Sequence, residues 1–260
     1  MPQPQTRVVG PERYQRRITD WLSTQPSITH VAEVRENTPG GGLFTGLSVV
    51  AELDESAHAA EVTRLVTSWA HLRGTRAWTL SLAARVSIIL SPGTRGVGVG
   101  DAWAALMADE RLTLGSALSP RADAPGAAVV LQTEGPALAV LWDHLNAGQR
   151  GHYRPRRAIA PPEAHPAEQP SRSFNVEVEG PQDHYWLSGS AELLLACRPA
   201  LESLTAAVDG SPISGIFHND DFAIVTVWPH SDAATRGAHW AWELACPPEG
   251  AELRIERPWA

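Results

Sequence analysis

The sequence predicts an α+β fold of two similar modules, each an antiparallel sheet covered by helices on one face. The first observation is that apolar and polar residues alternate in many short segments, as in half-buried strands. The second is that fewer, longer segments carry their apolar residues on one helical face. The third is that connections between neighbouring strands are short, which favours antiparallel pairing. With 43% hydrophobic residues among 260, the chain can bury a substantial core.

The N-terminal α+β module is predicted over residues 1–148. Its first helix begins at Pro11, carries Ile18 and Trp21 on its apolar stripe, and ends before Pro26. Period-two alternation and helical stripes predict the other elements. These are strands at 28–35, 47–53, 78–82, 86–90, 112–118 and 127–133, and helices at 56–72, 101–110 and 136–147.

A proline-rich linker is predicted over residues 149–172, because five prolines interrupt a stretch of low apolar content. The C-terminal α+β module follows over residues 173–260. It is expected to contain a helical region at 190–208 and strands at 174–178, 184–187, 213–217, 222–228, 240–246 and 253–255. The strand at 240–246 is predicted because larger apolar residues occupy every second position, at Trp240, Trp242, Leu244 and Cys246.

The two modules have a similar order of elements at an offset of roughly 140–146 residues, which predicts a tandem duplication. The likeness lies in order and period and not in residue identity. Domains of the α+β class often repeat such orders by chance, so a chance similarity is the alternative.

Arginine carries every fixed positive charge, because the chain contains no lysine. This excludes a Schiff-base lysine, a pyridoxal-phosphate attachment site and the lysine of a P-loop. The abundance of Arg, Ala, Gly and Pro indicates a high-GC bacterial source. Selection against amine modification is the alternative explanation.

Acidic residues are concentrated in the second half of the chain. The formal net charge is −8, and from Gly151 onward 8 Arg stand against 15 Asp and Glu, which gives −7. This balance argues against nucleic acid and anionic membrane as partners. The sequence shows neither a secretory signal core nor a run of about 18 apolar residues, so we expect no membrane insertion and a cytoplasmic location.

Cys197 and Cys246 are the only cysteines. Both are expected to be free thiols in the core, and a single disulfide between them is the alternative. Two cysteines are too few for a cysteine-rich zinc site, and the spacings of zinc-protease and EF-hand motifs are missing. We therefore expect neither a metal nor any other cofactor.

A glycine-rich loop is the segment that most resembles a motif. It follows the predicted strand at 86–90 and precedes a helix, so Arg95, Gly96, Gly98 and Gly100 could bind an anion at the helix N-terminus. The glycine spacing differs from that of dinucleotide-binding loops. An ordinary surface loop is therefore the favoured interpretation.

His218, Asp220 and Asp221 form the densest cluster of residues suited to acid–base or metal chemistry. They also stand where a hairpin should turn, beside Asn219, and Asn and Asp are common turn residues. A plain turn is favoured over a catalytic role.

Ten tryptophans are present, and most lie on predicted apolar faces. Tyr185, Trp186 and Trp259 are less constrained by period. Aromatic side chains exposed on an open sheet would form a binding surface, because Trp and Tyr dominate interface hot spots.

Taken together, these patterns favour a non-catalytic protein that binds another protein. In outline the architecture resembles small α/β immunity and chaperone-like proteins of bacterial secretion and toxin systems, without a motif of any one family. Two alternatives stay open. One is a small-molecule enzyme with a carboxylate and histidine site between the modules, and the other is a structural subunit that associates through sheet edges.

Overall fold

The structure is a computed structural model that describes residues 11–37, 46–72, 78–90, 98–120, 127–147, 173–218 and 222–256. Within these ranges the chain forms seven helices and eleven strands. The helices are α1 (Pro11–Ser23), α2 (Ala59–Leu72), α3 (Val99–Met107), α4 (Ala137–Ala147), α5 (Ala191–Ala196), α6 (Arg198–Val208) and α7 (Asp232–Leu244). The strands are β1 (Ile28–Asn37), β2 (Gly46–Leu53), β3 (Trp78–Ala83), β4 (Val86–Leu90), β5 (Ser116–Pro120), β6 (Ala127–Gln132), β7 (Ser173–Glu179), β8 (His184–Ser190), β9 (Ile213–His218), β10 (Phe222–Val227) and β11 (Ala251–Ile255).

All eleven described strands form one sheet in which they follow each other in chain order. Antiparallel and parallel pairs alternate, so that β1 and β2 are antiparallel, β2 and β3 are parallel, and the pattern continues to β10 and β11. The prediction of antiparallel sheets is therefore wrong, and the sheet is mixed. It fails because each hairpin is followed by a helix, which returns the chain to the same end of the sheet and makes the next pair parallel.

The described chain repeats a unit that consists of two strands followed by a helical segment. This unit occurs five times and is followed by the last strand, β11. A duplication into two halves is not evident. The separation between the starts of β1 and β7, 173 − 28 = 145 residues, spans three such units, which explains the similarity of the two halves. Strands β6 and β7, on either side of residues 149–172, pair within the same sheet.

The helices form one layer on one face of this sheet. Gly100 at the start of α3 lies against Ala59 of α2, and Gly237 of α7 lies against Ala207 of α6. Connections between parallel strands, such as β2 to β3 and β4 to β5, follow strands that run in opposite directions from one unit to the next, yet their helices lie on the same face. Successive connections must therefore alternate between right-handed and left-handed, although left-handed connections are rare.

The core lies between the helix layer and the sheet. A row of paired positions runs through Val31, Ala51, Leu82, Ile88, Leu118, Val129, Val176, Leu187, Gly215, Val225 and Leu253, one from each strand. Every member is apolar or glycine, and most are fully buried. Each large aliphatic side chain contributes about 1.5–3 kcal/mol on burial, so this face of the sheet accounts for much of the stability.

Residues 240–246 are not a strand, contrary to the prediction. Ser231 caps α7 by accepting the N–H of Ala234 at 3.1 Å, and the helix then buries Ala238 and Trp242. Alanines form much of the buried stripe of this helix, so the alternation of larger apolar residues did not indicate a strand. The helix ends at Leu244, and Cys246 is exposed in the left-handed region with φ of 48°, which corrects the expectation of a buried thiol.

None of the described helices combines the length and apolar character needed to cross a membrane.

Candidate binding surface

The face of the sheet opposite the helices carries an exposed apolar patch near its C-terminal edge. We call Trp186, Ile216, Phe222 and Ile224 the open-face patch. Trp186, Ile216 and Phe222 are 39%, 51% and 39% exposed, and Ile224 is half-buried. Ile216 on β9 is paired directly with Ile224 on β10, so the patch is continuous across neighbouring strands.

Tyr185 and Trp186, the two neighbouring aromatic residues predicted to bind a partner, lie on opposite faces of the sheet because side chains alternate along a strand. Tyr185 is 1% exposed and lies in the core, where its hydroxyl is 2.8 Å from Thr205 Oγ1 and burial raises its pKa. Trp186 is on the opposite face. Of these two residues, only Trp186 can therefore belong to a binding surface. Trp259 lies outside the described residues, so its predicted role is untested.

A polar rim borders the patch on the side of β7. His184 Nε2 is 3.0 Å from Glu177 Oε1, and the His184 ring lies 3.7 Å from the Trp186 ring between centroids. Trp228 meets Trp186 edge to face at 6.4 Å. These contacts hold the Trp186 ring in place, which reduces the conformational entropy that it would lose on binding.

His218 ends β9 at the hairpin, as the turn interpretation expects. Its ring stacks on that of Phe222, with 5.1 Å between centroids and 10° between planes. Asp220 and Asp221 lie outside the described residues, so their predicted role is untested. The described geometry makes His218 an exposed neighbour of the open-face patch.

The glycine-rich loop is described only in part, because Arg95 and Gly96 lie outside the described residues. Gly98 immediately precedes α3 with φ of 78°, a conformation that favours glycine. The N–H of Gly100 donates to Thr63 Oγ1 at 3.2 Å. A Cβ on Gly100 would lie 1.9 Å from the carbonyl oxygen of Ala59, so this glycine permits α2 and α3 to pack closely.

A second polar cluster, which the sequence did not indicate, joins the end of α3 to α4. Arg111 donates to Asp109 and Asp143 over 2.7 and 2.8 Å, and His144 Nε2 is 3.1 Å from Asp109. Asp109 and Arg111 are close in the chain, whereas the α4 residues follow more than 30 positions later. Sequence periodicity gives no signal for such a pairing.

The electrostatics of this cluster indicate a structural ion pair. Hydrogen bonds from Arg111 lower the pKa of Asp109 to about 2, although burial opposes the shift. Burial lowers the pKa of His144. The Asp109 carboxylate takes part in four hydrogen bonds, three from Arg111 and one with His144, which leaves it a poor general base.

The open-face residues beyond Trp186 were also missed, although a signal was present. Strands β9 and β10 carry apolar residues at both alternating positions, such as Ile216 beside Phe217. Phe217 is fully buried and Ile216 is exposed. A strand that is apolar on both sides and has one uncovered face must expose some of its apolar residues.

Comparisons with known proteins leave the function to be derived from these residues. In the described part of the chain, no group of three or more His, Cys, Asp or Glu side chains could hold a metal ion. No family model matches the chain, and no curated protein or solved structure matches it.

Proposed function

We propose that the protein is a non-catalytic binding module that recognises another protein through the open-face patch. The observation that carries this proposal is a set of neighbouring exposed apolar residues on the open face of the sheet. Trp186, Ile216 and Phe222 are each more than a third exposed. Contiguous exposed apolar residues rimmed by polar ones are typical of interaction sites.

The charges around the patch support a partner that carries basic residues. Glu177 and Glu179 lie on the same face of β7, and Glu252 lies on the same face of β11. Arg254 adds one positive charge to that face. A partner segment that alternates apolar and basic residues would match this surface, because arginine and lysine complement the acidic rim while apolar side chains cover the patch.

A chaperone-like or immunity-like role in the cytoplasm is part of this proposal. Cys197 and Cys246 are both free, which suits a reducing compartment. The enzyme alternative has less support, because the described polar cluster around Asp109 is held by an ion pair with Arg111 and a hydrogen bond with His144. The residues of this cluster lie at the helix layer, whereas His218 lies at the end of a hairpin strand, so the two sets of polar side chains do not form one site.

Peptide display tests the proposal and does not require the partner to be identified first. A random-peptide phage library is panned against the folded chain, and the selected peptides are synthesised for fluorescence anisotropy. We expect enrichment of peptides that combine aromatic or aliphatic residues with arginine or lysine. Changing Ile216 and Phe222 together to serine should weaken their binding about tenfold or more, since buried anchors dominate interface energy.

Trp240→Ala is the matched control, because Trp240 is 69% exposed on α7, away from the sheet. This variant should bind the selected peptides as the unchanged chain does. Equal binding by the double serine variant, with circular dichroism showing that it is folded, would place recognition elsewhere. If panning enriches no peptide above the level found when the library is panned on bare support, that result would also count against the proposal.

A further inference from the structure

Strand β11 has a partner strand on one side only, among the residues that the structure describes. The N–H of Glu256 donates to Val227, and the carbonyl of Gly250 accepts the N–H of Ala223, so even-numbered positions direct their backbone groups toward β10. Because these groups alternate along a strand, the N–H and C=O groups of Leu253 and Ile255 point away from β10. These groups form an edge that can accept another strand.

The side chains of β11 have an arrangement that complements itself. Glu252 and Arg254 are exposed on the open face, on either side of Leu253, and Arg254 Nε is 3.0 Å from Glu252 Oε1 of the same strand. Leu253 lies on the helix-covered face with Ala251 and Ile255. When two such strands run antiparallel and centre on Leu253, Glu252 of each faces Arg254 of the other. Opposite charges in facing positions stabilise a strand pair.

We propose that the chain forms a two-fold symmetric dimer by antiparallel pairing of β11 with β11 of a second copy. Leu253 then faces Leu253 of the second copy as a hydrogen-bonded pair, because its backbone groups point outward. Glu252 and Arg254 occupy the neighbouring non-hydrogen-bonded positions, where facing side chains approach more closely. The two sheets join into one, with both helix layers on the same face.

The charge pattern also selects the register. A shift of two residues in one direction would place Glu252 opposite Glu252, and a shift in the other direction would place Arg254 opposite Arg254. A shift of one residue would place the outward N–H and C=O groups of one strand opposite residues whose groups point toward their own β10, so the antiparallel hydrogen bonds could not form. Among the registers within two residues of it, only the arrangement centred on Leu253 gives two opposite-charge pairs.

The opposite edge, β1, is a less suitable partner for β11. Its pairing with β2 contains two register shifts, between Ile28 and His30 and between Val31 and Glu33, which disturb the regular spacing of a strand. Pairing β11 with β1 of another copy would also join unlike edges and generate an open chain of subunits. Like edges related by two-fold symmetry close after two copies.

Charge reversal tests this dimer, measured on the full chain by sedimentation velocity over a concentration series. The unchanged chain should show a monomer–dimer equilibrium. Arg254→Glu places two glutamates opposite two others, and Glu252→Arg does the same with arginines. Each single variant should raise the dissociation constant about tenfold or more, because two attractive pairs become repulsive.

Two combinations then separate this geometry from any other. The double variant E252R with R254E exchanges the charges and should restore the dimer. An equimolar mixture of the two single variants should form a heterodimer, because arginines on one strand then face glutamates on the other. Arg64→Glu, an exposed change on α2, is the control for net charge and should leave dimerisation unchanged.

Three results would overturn the proposal. A chain that stays monomeric at every concentration lacks the interface, and open-ended polymers would indicate pairing of β11 with β1. A dimer that persists in both single variants uses another surface. The substituted residues are solvent-exposed, and circular dichroism establishes that each variant is folded before it is assigned to an outcome.

Discussion

The two faces of the sheet differ in what covers them, and adjacent residues on one strand show the consequence. On β8, Leu187 is fully buried beneath the helix layer, and Trp186 is 39% exposed on the open side. Tyr185, buried like Leu187, has its hydroxyl bonded to Thr205. The covered face therefore stabilises the fold, and the open face is available for recognition.

Contacts between a carboxylate and a histidine on the two sides differ in the same way. Asp109 and His144, at the helix layer, have side chains that are 13% and 20% exposed, whereas Glu177 and His184 on the open face are 37% and 24% exposed. Water screens the second pair more strongly, so its contribution to stability should be smaller. The following predictions test this contrast.

The largest effect is expected from truncation on the covered face. Leu187→Ala should lower the free energy of unfolding by about 2–5 kcal/mol, because it leaves a cavity in the core. Its neighbour Trp186→Ala should lower it by about 1 kcal/mol or less, since part of that side chain is already in water. Urea unfolding of both variants measures the difference, and equal losses would contradict the assignment of the two faces.

An intermediate effect is expected at the helix layer. Asp109→Asn removes the ion pair and should destabilise the protein by about 1–3 kcal/mol at neutral pH. The folded pKa of Asp109, about 2, lies below its ordinary value of 3.8, so its stabilisation is present above that value and is lost as the pH falls toward 2.

Urea unfolding between about pH 5 and about pH 2.5 checks this dependence. The difference between the unchanged chain and Asp109→Asn should shrink as the solution becomes more acidic. A difference that stays constant over this range would mean that the carboxylate does not supply the stabilisation.

The smallest effect on stability is expected on the open face. Glu177→Gln should change the free energy of unfolding by less than about 1 kcal/mol, because the pair with His184 is partly exposed. The same change should weaken binding of the basic peptides selected by display, with a smaller dependence on salt. A large loss of stability without a change in peptide binding would assign Glu177 to the fold instead.

Local pattern predicted many of the elements. Helices α1, α2 and α4, the hairpin of β3 and β4, and strands β8 to β11 fall close to their expected positions. These segments have a single clear period or a strong boundary residue such as Pro11. The helical region predicted at 190–208 forms two helices: Ser190 caps α5, and a new helix begins after Cys197 with Pro199 in its first turn.

The direction of strand pairing could not be read from such patterns. An antiparallel neighbour is the simpler expectation for a short connection, and the handedness rule disfavours the alternating connections that the chain uses. Long-range contacts were equally hidden, because nothing local relates Asp109 to His144. Among the predicted binding residues, alternation could not by itself decide whether Tyr185 or Trp186 faced the core.

The chain-order arrangement of the strands has a consequence for how this protein folds. Each strand that the structure describes pairs only with the strands that come just before and just after it, so closure of long loops is limited to the connections between units. A chain emerging from the ribosome can add one hairpin and its helix at a time to the sheet already formed. At each stage of synthesis, the strand added last forms the edge of the sheet and has yet to pair with the next strand.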